Sequence, residues 1–89
     1  MTIYRLPVDR RWAERNPGMD WFEESELEAV SDRQQRILRL RAGVDDGKQH
    51  SYRAVATNFG LKSPTRIRIE QNKAMHAIVR IRVAKGTRG

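Results

Sequence analysis

The side chains that ordinarily carry catalysis are sparse in this chain. Its two histidines, His50 and His76, stand 26 positions apart and share no nucleophile arrangement with a serine. There is no cysteine, hence no thiol nucleophile, no thiolate zinc site and no disulfide framework. The histidines with Asp45 and Asp46 follow no metal-ligand spacing. Gly43 and Gly47 bracket a turn and do not precede a helix at phosphate-loop spacing. No enzyme activity, metal or cofactor is expected. The residues that offer chemistry are cationic. Lys62, Ser63, Thr65, Arg66 and Arg68 follow one another with no acid before Glu70. Arginine pairs bidentately with guanine or clamps a phosphate, and hydroxyls donate to phosphate oxygens. The chemistry expected is the binding of a polyanion.

The charge of the whole chain agrees. The 89 residues carry a formal net charge of +7. Residues 1–30 hold four arginines and seven acids, whereas residues 31–89 hold fourteen basic residues and four acids. From residue 61 onward eight basic residues face Glu70 alone. A basic domain with its charge gathered toward one end fits a nucleic-acid partner. Its length allows one small domain and excludes barrels and doubly wound sheets. No apolar run approaches the ~20 residues of a membrane span. The first residues, Met1-Thr2-Ile3-Tyr4-Arg5, lack a signal-peptide core. The expected location is cytoplasmic, with no membrane and no small-molecule substrate.

The elements that must position these residues are read from caps and periodicity. Residues 1–20 contain Pro7, the turn Asn16-Pro17-Gly18 and the run Asp9-Arg10-Arg11, which is loop or tail chemistry. Residues 21–29 read as an acidic helix capped by Asp20, with Glu23 and Glu24 in its first turn. Trp21 and Phe22 read as packing residues. Ser31 with Gln34 three positions later forms a capping box for a helix over 32–42, closed by Gly43. Ser51 caps a helix over 52–60 whose apolar side is Tyr52, Val55, Ala56 and Phe59, which places Phe59 in the core. Ser63-Pro64 opens the last helix, over 64–80, because proline at the first helical position loses no hydrogen bond. Val79 to Val83 alternates apolar and basic residues, and the helix is expected to fray there. The fold expected is all-α: a small helical bundle with a C-terminal helix-turn-helix and an irregular N-terminal segment. Residues 1–26 form a tail and helix start, 27–83 the domain, and 84–89 a disordered end.

Helices 52–60 and 64–80, joined by Gly60-Leu61-Lys62, have the form of a helix-turn-helix. The second helix then enters a major groove with its N-terminal residues foremost.

Residues 27–80, about 54 of the 89, resemble region 4 of primary bacterial sigma factors. Leu27, Val30, Ser31, Arg33, Ile37, Leu38, Arg39, Leu40, Arg41, Gly43 and Val44 follow the family's Leu-Pro-x-Arg-Glu-x-x-Val-Leu-x-Leu-Arg-Phe-Gly-Leu pattern. Asp45-Asp46-Gly47 and the stretch Ser51 to Gly60 resemble its Asp-Gly turn and its Thr-Leu-x-Glu-Val-Gly-x-x-Phe-Gly helix. Arg66-Ile67-Arg68 and Lys73-Ala74-Met75 keep the Arg-Ile-Arg and Lys-Ala-Leu spacing. The resemblance implies DNA contacts at Arg33, Arg41, Ser51, Lys62, Ser63, Thr65, Arg66, Arg68 and Lys73. It also implies docking on the flap of the RNA polymerase beta subunit through Ile37, Leu38, Leu40, Val44, Tyr52 and Val55.

Three base-reading positions of the family fall on Pro64, Thr65 and Ile69. Proline and isoleucine cannot hydrogen-bond base edges, so contact with DNA is expected mainly at phosphates. The turn holds one extra residue. Glu70 falls where the family buries an isoleucine, so Ile69 or Gln71 is expected to take that place. The chain has no room for the region that melts the minus-10 element. The reading is an isolated, sigma-region-4-like transcription regulator, phage-encoded or accessory, that binds polymerase, promoter DNA or both. The alternative is an autonomous dimeric helix-turn-helix repressor or activator, with Trp21-Phe22 supplying the dimer surface. A protein-interaction adaptor with a solvated basic face is the third class.

Overall fold

Three serines and one glycine fix the helix boundaries in the second part of the chain. In the computed structural model, which describes residues 2–86, Ser31 Oγ accepts the Gln34 N–H at 3.1 Å and Gln34 Oε1 accepts the Ser31 N–H at 3.3 Å. This closed capping box starts the helix Asp32–Ala42, and a shorter helix precedes it in the chain. In chain order the elements are β1 (Ile3–Arg5), α1 (Arg10–Arg15), β2 (Trp21–Glu23), a 3₁₀ helix (Glu24–Ala29), α2 (Asp32–Ala42), α3 (Tyr52–Asn58) and α4 (Pro64–Gly86). The Ser31 box thus opens α2. Gly43 ends it at φ 73°, and a Cβ there would lie 2.9 Å from the Lys48 backbone, so only glycine fits. Ser51 Oγ accepts the Ala54 N–H at 3.1 Å and opens α3. Ser63 Oγ accepts the Thr65 N–H at 3.2 Å, beside Pro64 at the start of α4.

The last helix is longer than the sequence suggests. It runs through residues 79–83 to Gly86 instead of fraying after Arg80. Arg82 is the physical reason. Its Nε and Nη2 donate to the two Glu26 carboxylate oxygens, both at 2.7 Å, and Nη2 also donates to the Trp21 carbonyl at 2.9 Å. The guanidinium lies 3.6 Å from the centroid of the Trp21 ring. Residues 84–86, expected to be disordered, are helical. The remainder of that expectation, 87–89, lies outside the described residues, as does Met1.

The N-terminal segment overturns two expectations. Residues 21–29 do not form an α-helix. Trp21–Glu23 pairs antiparallel with Ile3–Arg5, Tyr4 opposite Phe22, and the 3₁₀ helix follows. Strand alternation puts Phe22 inward, fully buried, and leaves Trp21 and Glu23 half-buried. Asp20 does not cap a helix. Its carbonyl accepts the Leu6 N–H at 2.7 Å and its carboxylate pairs with Arg5 at 3.2 Å. The stretch read as tail carries a helix of its own, α1, capped by Asp9 Oδ1 on the Trp12 N–H at 2.8 Å. The fold is therefore mostly helical with a small two-stranded sheet, and the all-α expectation is corrected to that extent.

Two clusters form the core. Leu6, Trp12 and Phe22 from the N-terminal segment pack with Leu27, Val30, Leu38, Ala74, Met75 and Ile78. Ile37, Val55, Ala56 and Ile67 form the other, between α2, α3 and the start of α4. Gln71 takes the buried position beside Glu70, while Ile69 is 45% exposed. Glu70 stays at the margin and accepts Gln34 Nε2 at 3.2 Å. Phe59 is not the core residue expected. The helix stops at Asn58, and Phe59 sits half-buried at its end with the guanidiniums of Arg33 and Arg36 at 5.6 and 5.4 Å from its ring.

Replacing Phe22 by alanine should cost about 3–5 kcal/mol in urea unfolding, the range for a buried aromatic. Phe59→Ala should cost less, about 1–2 kcal/mol, since Phe59 packs at the edge of the second cluster and is only partly buried. The Arg82 pair sets a second expectation. Burial alone would raise the Glu26 pKa, but the Arg82 hydrogen bonds, the Glu23 N–H and the positive charges of Arg82 and Lys85 outweigh it and hold the carboxyl below the ordinary range. A carboxyl lowered on folding contributes stability above its unfolded pKa and loses it as pH falls through the folded value. Stability measured from neutral pH into acid should fall less steeply for Glu26→Gln than for the native chain.

Candidate nucleic-acid interface

Helical periodicity divides α4 between core and surface. Ile67, Gln71, Ala74, Met75 and Ile78 are buried. Thr65, Arg66, Ile69, Lys73, His76 and Arg80 are exposed, and Arg68 and Asn72 are half-buried between the two sets. The exposed side of the helix thus carries cations, small polar groups and the apolar Ile69, Ile81 and Val83, with Glu70 at its edge as the single acid of the helix. Lys62 and Ser63 are exposed in the turn that precedes it. That turn begins at Gly60, whose φ of 72° reverses the chain after α3.

The remaining sequence-predicted DNA residues divide. Arg33 is exposed at the start of α2 and reaches toward Phe59, beside the turn. Ser51 is exposed but its Oγ is used as the α3 cap. Arg68 faces Asp9 at 3.8 Å and is 40% exposed. Lys62, Ser63, Thr65, Arg66 and Lys73 are free to meet solvent. Arg41 is not available. It is 6% exposed, and its guanidinium donates to Gln71 Oε1 at 2.9 Å, to the His50 carbonyl at 2.8 Å and to the Pro7 carbonyl at 2.8 Å. The Tyr52 ring covers it at 3.8 Å. All three nitrogens are committed internally, so the expected phosphate contact at Arg41 is withdrawn.

The apolar docking set is corrected in the same way. Ile37, Leu38 and Val55 are fully buried in the core and cannot receive a partner. Leu40, Val44 and Tyr52 are half-buried. Tyr52 is further occupied, its hydroxyl accepting Gln71 Nε2 at 3.2 Å. Leu40 alone opens into a shallow cleft along α2, between Asp32, Gln35, Arg36, Arg39 and Asp45. The surface proposed for a dimer is also closed, since Phe22 is buried and Trp21 lies under Arg82.

Sequence reasoning missed Arg36 and Arg53. Both are exposed, and Arg36 Nη2 donates to Asn58 Oδ1 at 3.0 Å, next to the turn. Its spacing of three from Arg33 puts both on one side of α2. His50, expected as a solvated loop residue, is half-buried and pairs through Nε2 with Asp46 Oδ2 at 2.8 Å. The His50 ring, with the Lys48 N–H, holds the Asp46 carboxyl below its ordinary range. The pair fixes the loop whose carbonyl receives Arg41.

No protein-family model matches the chain, and no curated protein or solved structure does.

Removing the guanidinium of Arg41 would leave the Gln71 carboxamide oxygen without this donor, take the Arg41 donor from the His50 carbonyl, and leave the Pro7 carbonyl with Gln71 Nε2 alone. Arg41→Ala should lower stability by about 3 kcal/mol or more in urea unfolding. Arg66→Ala, at an exposed position, should stay within about 0.5 kcal/mol of the native chain.

Proposed function

We propose that the chain is a transcription regulator of the sigma-region-4 kind, with α3, the Gly60 turn and α4 acting as a helix-turn-helix on promoter DNA. The observation that carries this reading is the exposed first part of α4. Ser63, Thr65 and Arg66 project there with no acid among them, flanked by Lys62 in the turn and by Arg33 and Arg36 from α2. Arginine, lysine and hydroxyl groups at a helix start suit phosphate oxygens. Pro64 and the exposed Ile69 offer no base-edge donor. Binding is accordingly electrostatic for the most part, with weak selectivity for sequence.

Docking on the polymerase flap is the second arm of the proposal. The half-buried Leu40, in the cleft along α2, is the apolar anchor that favours it. A helix laid in a groove relies on a few such anchors. The autonomous dimeric repressor or activator is the competing reading, and the two differ in whether core polymerase is needed.

Two measurements test this. In duplex binding followed against salt, Arg33→Ala and Arg66→Ala should each lower the slope of log K against log salt by about 0.9. Strong discrimination at several base pairs would contradict the phosphate-dominated reading. Core polymerase should retain the native chain, less so after Leu40→Ser and less so when the flap tip is deleted. Equal retention in all three cases removes the flap from the proposal.

A further inference from the structure

We propose that the cleft between α1 and α4 is a second phosphate seat, where Arg11 and Arg15 on one wall and Arg68 and Asn72 on the other take the backbone of a duplex. The inference rests on the reading of α4 as a nucleic-acid face and extends it into the N-terminal segment. The cleft has a volume of about 180 Å³. Its walls bring three guanidiniums and two carboxamides, Asn16 and Asn72, against one carboxylate, Asp9.

Three of the donors there are free, while Asn16 Nδ2 donates to the Trp12 carbonyl at 3.4 Å. Arg11, Arg15 and Asn72 make no side-chain hydrogen bond or ion pair among the described residues. By contrast Arg5, Arg10, Arg39, Arg41 and Arg82 are all engaged. One oxygen of the carboxylate is taken by the helix cap. Asp9 Oδ1 accepts the Trp12 N–H at 2.8 Å, and Oδ2 stands 3.8 Å from Arg68, well beyond a charge-assisted hydrogen bond. A guanidinium so placed keeps its fork for an incoming oxyanion.

The spacing suits a strand of phosphates better than an isolated acid. Thr65, Arg68, Asn72 and His76 recur at intervals of three, four and four along one side of α4. From Arg68 to His76 that row spans about 12 Å at the helical rise per residue. One strand of a duplex presents three to four charges over about that length. Arg11 and Arg15, four apart, share a side of α1. The row starts at Thr65, so it continues the face already assigned to DNA. The wall carrying Arg11 and Arg15 is held in place from inside. Trp12 is 4% exposed, its Nε1–H donates to the Met19 carbonyl at 2.8 Å, and its ring meets His76 edge-on at 4.7 Å.

The test is duplex binding against salt with the full chain. The double variant Arg11→Gln/Arg15→Gln should lose about 1.8 from the slope of log K against log salt, two phosphate contacts, with an unchanged circular dichroism spectrum. Asp9→Asn keeps a capping oxygen for α1 and removes the single acid of the cleft, so it should bind severalfold tighter. If the double variant keeps the native slope while Arg66→Ala still loses a contact, the cleft proposal falls and the reading of α4 stands. If the native chain binds no duplex, both fall. Saturable quenching of tryptophan fluorescence by inorganic phosphate, at concentrations that leave duplex binding unchanged, would assign the cleft to free phosphate and overturn the backbone assignment.

Discussion

One buried guanidinium sets the arrangement of the whole chain. Arg41 forms no ion pair among the described residues, and the three acceptors of its hydrogen bonds are neutral. Burying a charge is tolerable only when its donors are satisfied. The acceptors come from Pro7, from His50 and from Gln71 on α4, while Tyr52 of α3 covers the remaining side. Pro7, Arg41 on α2, the stretch 50–52 and Gln71 on α4 must therefore meet at one point. Gln71 serves twice, since its Nε2 donates to the same Pro7 carbonyl at 3.1 Å and to Tyr52 at 3.2 Å. The two apolar clusters lie around this polar centre and supply the burial that makes its geometry unique.

How much of this was legible depends on whether a signal is local. The starts of α2, α3 and α4 and the end of α2 were legible because each rests on contacts within four residues: the Ser31–Gln34 box, the Ser51 and Ser63 caps, the left-handed Gly43. The pairing of Ile3–Arg5 with Trp21–Glu23 was not. Strands of three residues carry little periodicity, and their partner is chosen by what Phe22 packs on. The extent of α4 was hidden for the same reason, because Arg82 is held by Glu26 and Trp21, more than fifty positions away.

The candidate site shows the same division among residues of one type. Arg33 and Arg41 both fit the sequence resemblance, yet one is exposed and the other is buried. A local clue existed. Arg41 stands four from Ile37 and three from Leu38, so it continues the buried side of α2. The apolar docking set failed for a related reason: a domain this small has few large apolar side chains to spare, and Ile37, Leu38 and Val55 are needed inside.

The uneven charge of the sequence also acquires a structural meaning. Five of the seven acids of the first thirty residues engage arginines or backbone groups. Glu24 pairs with Arg39, Glu26 with Arg82, Asp20 with Arg5 and Glu14 with Arg10, and Asp9 caps α1. Arg39 and Arg82 belong to the basic part of the chain, so the acidic head neutralises two of its cations. Cations without an acid partner remain on the outer side of α4, at the start of α2, on α1 and at Lys48 and Arg53. Positive potential at a surface depends on which cations lack a partner, not on how many the chain contains. The N-terminal segment therefore contributes to the basic face in two ways, by occupying the structural arginines with its acids and by adding Arg11 and Arg15 beside α4.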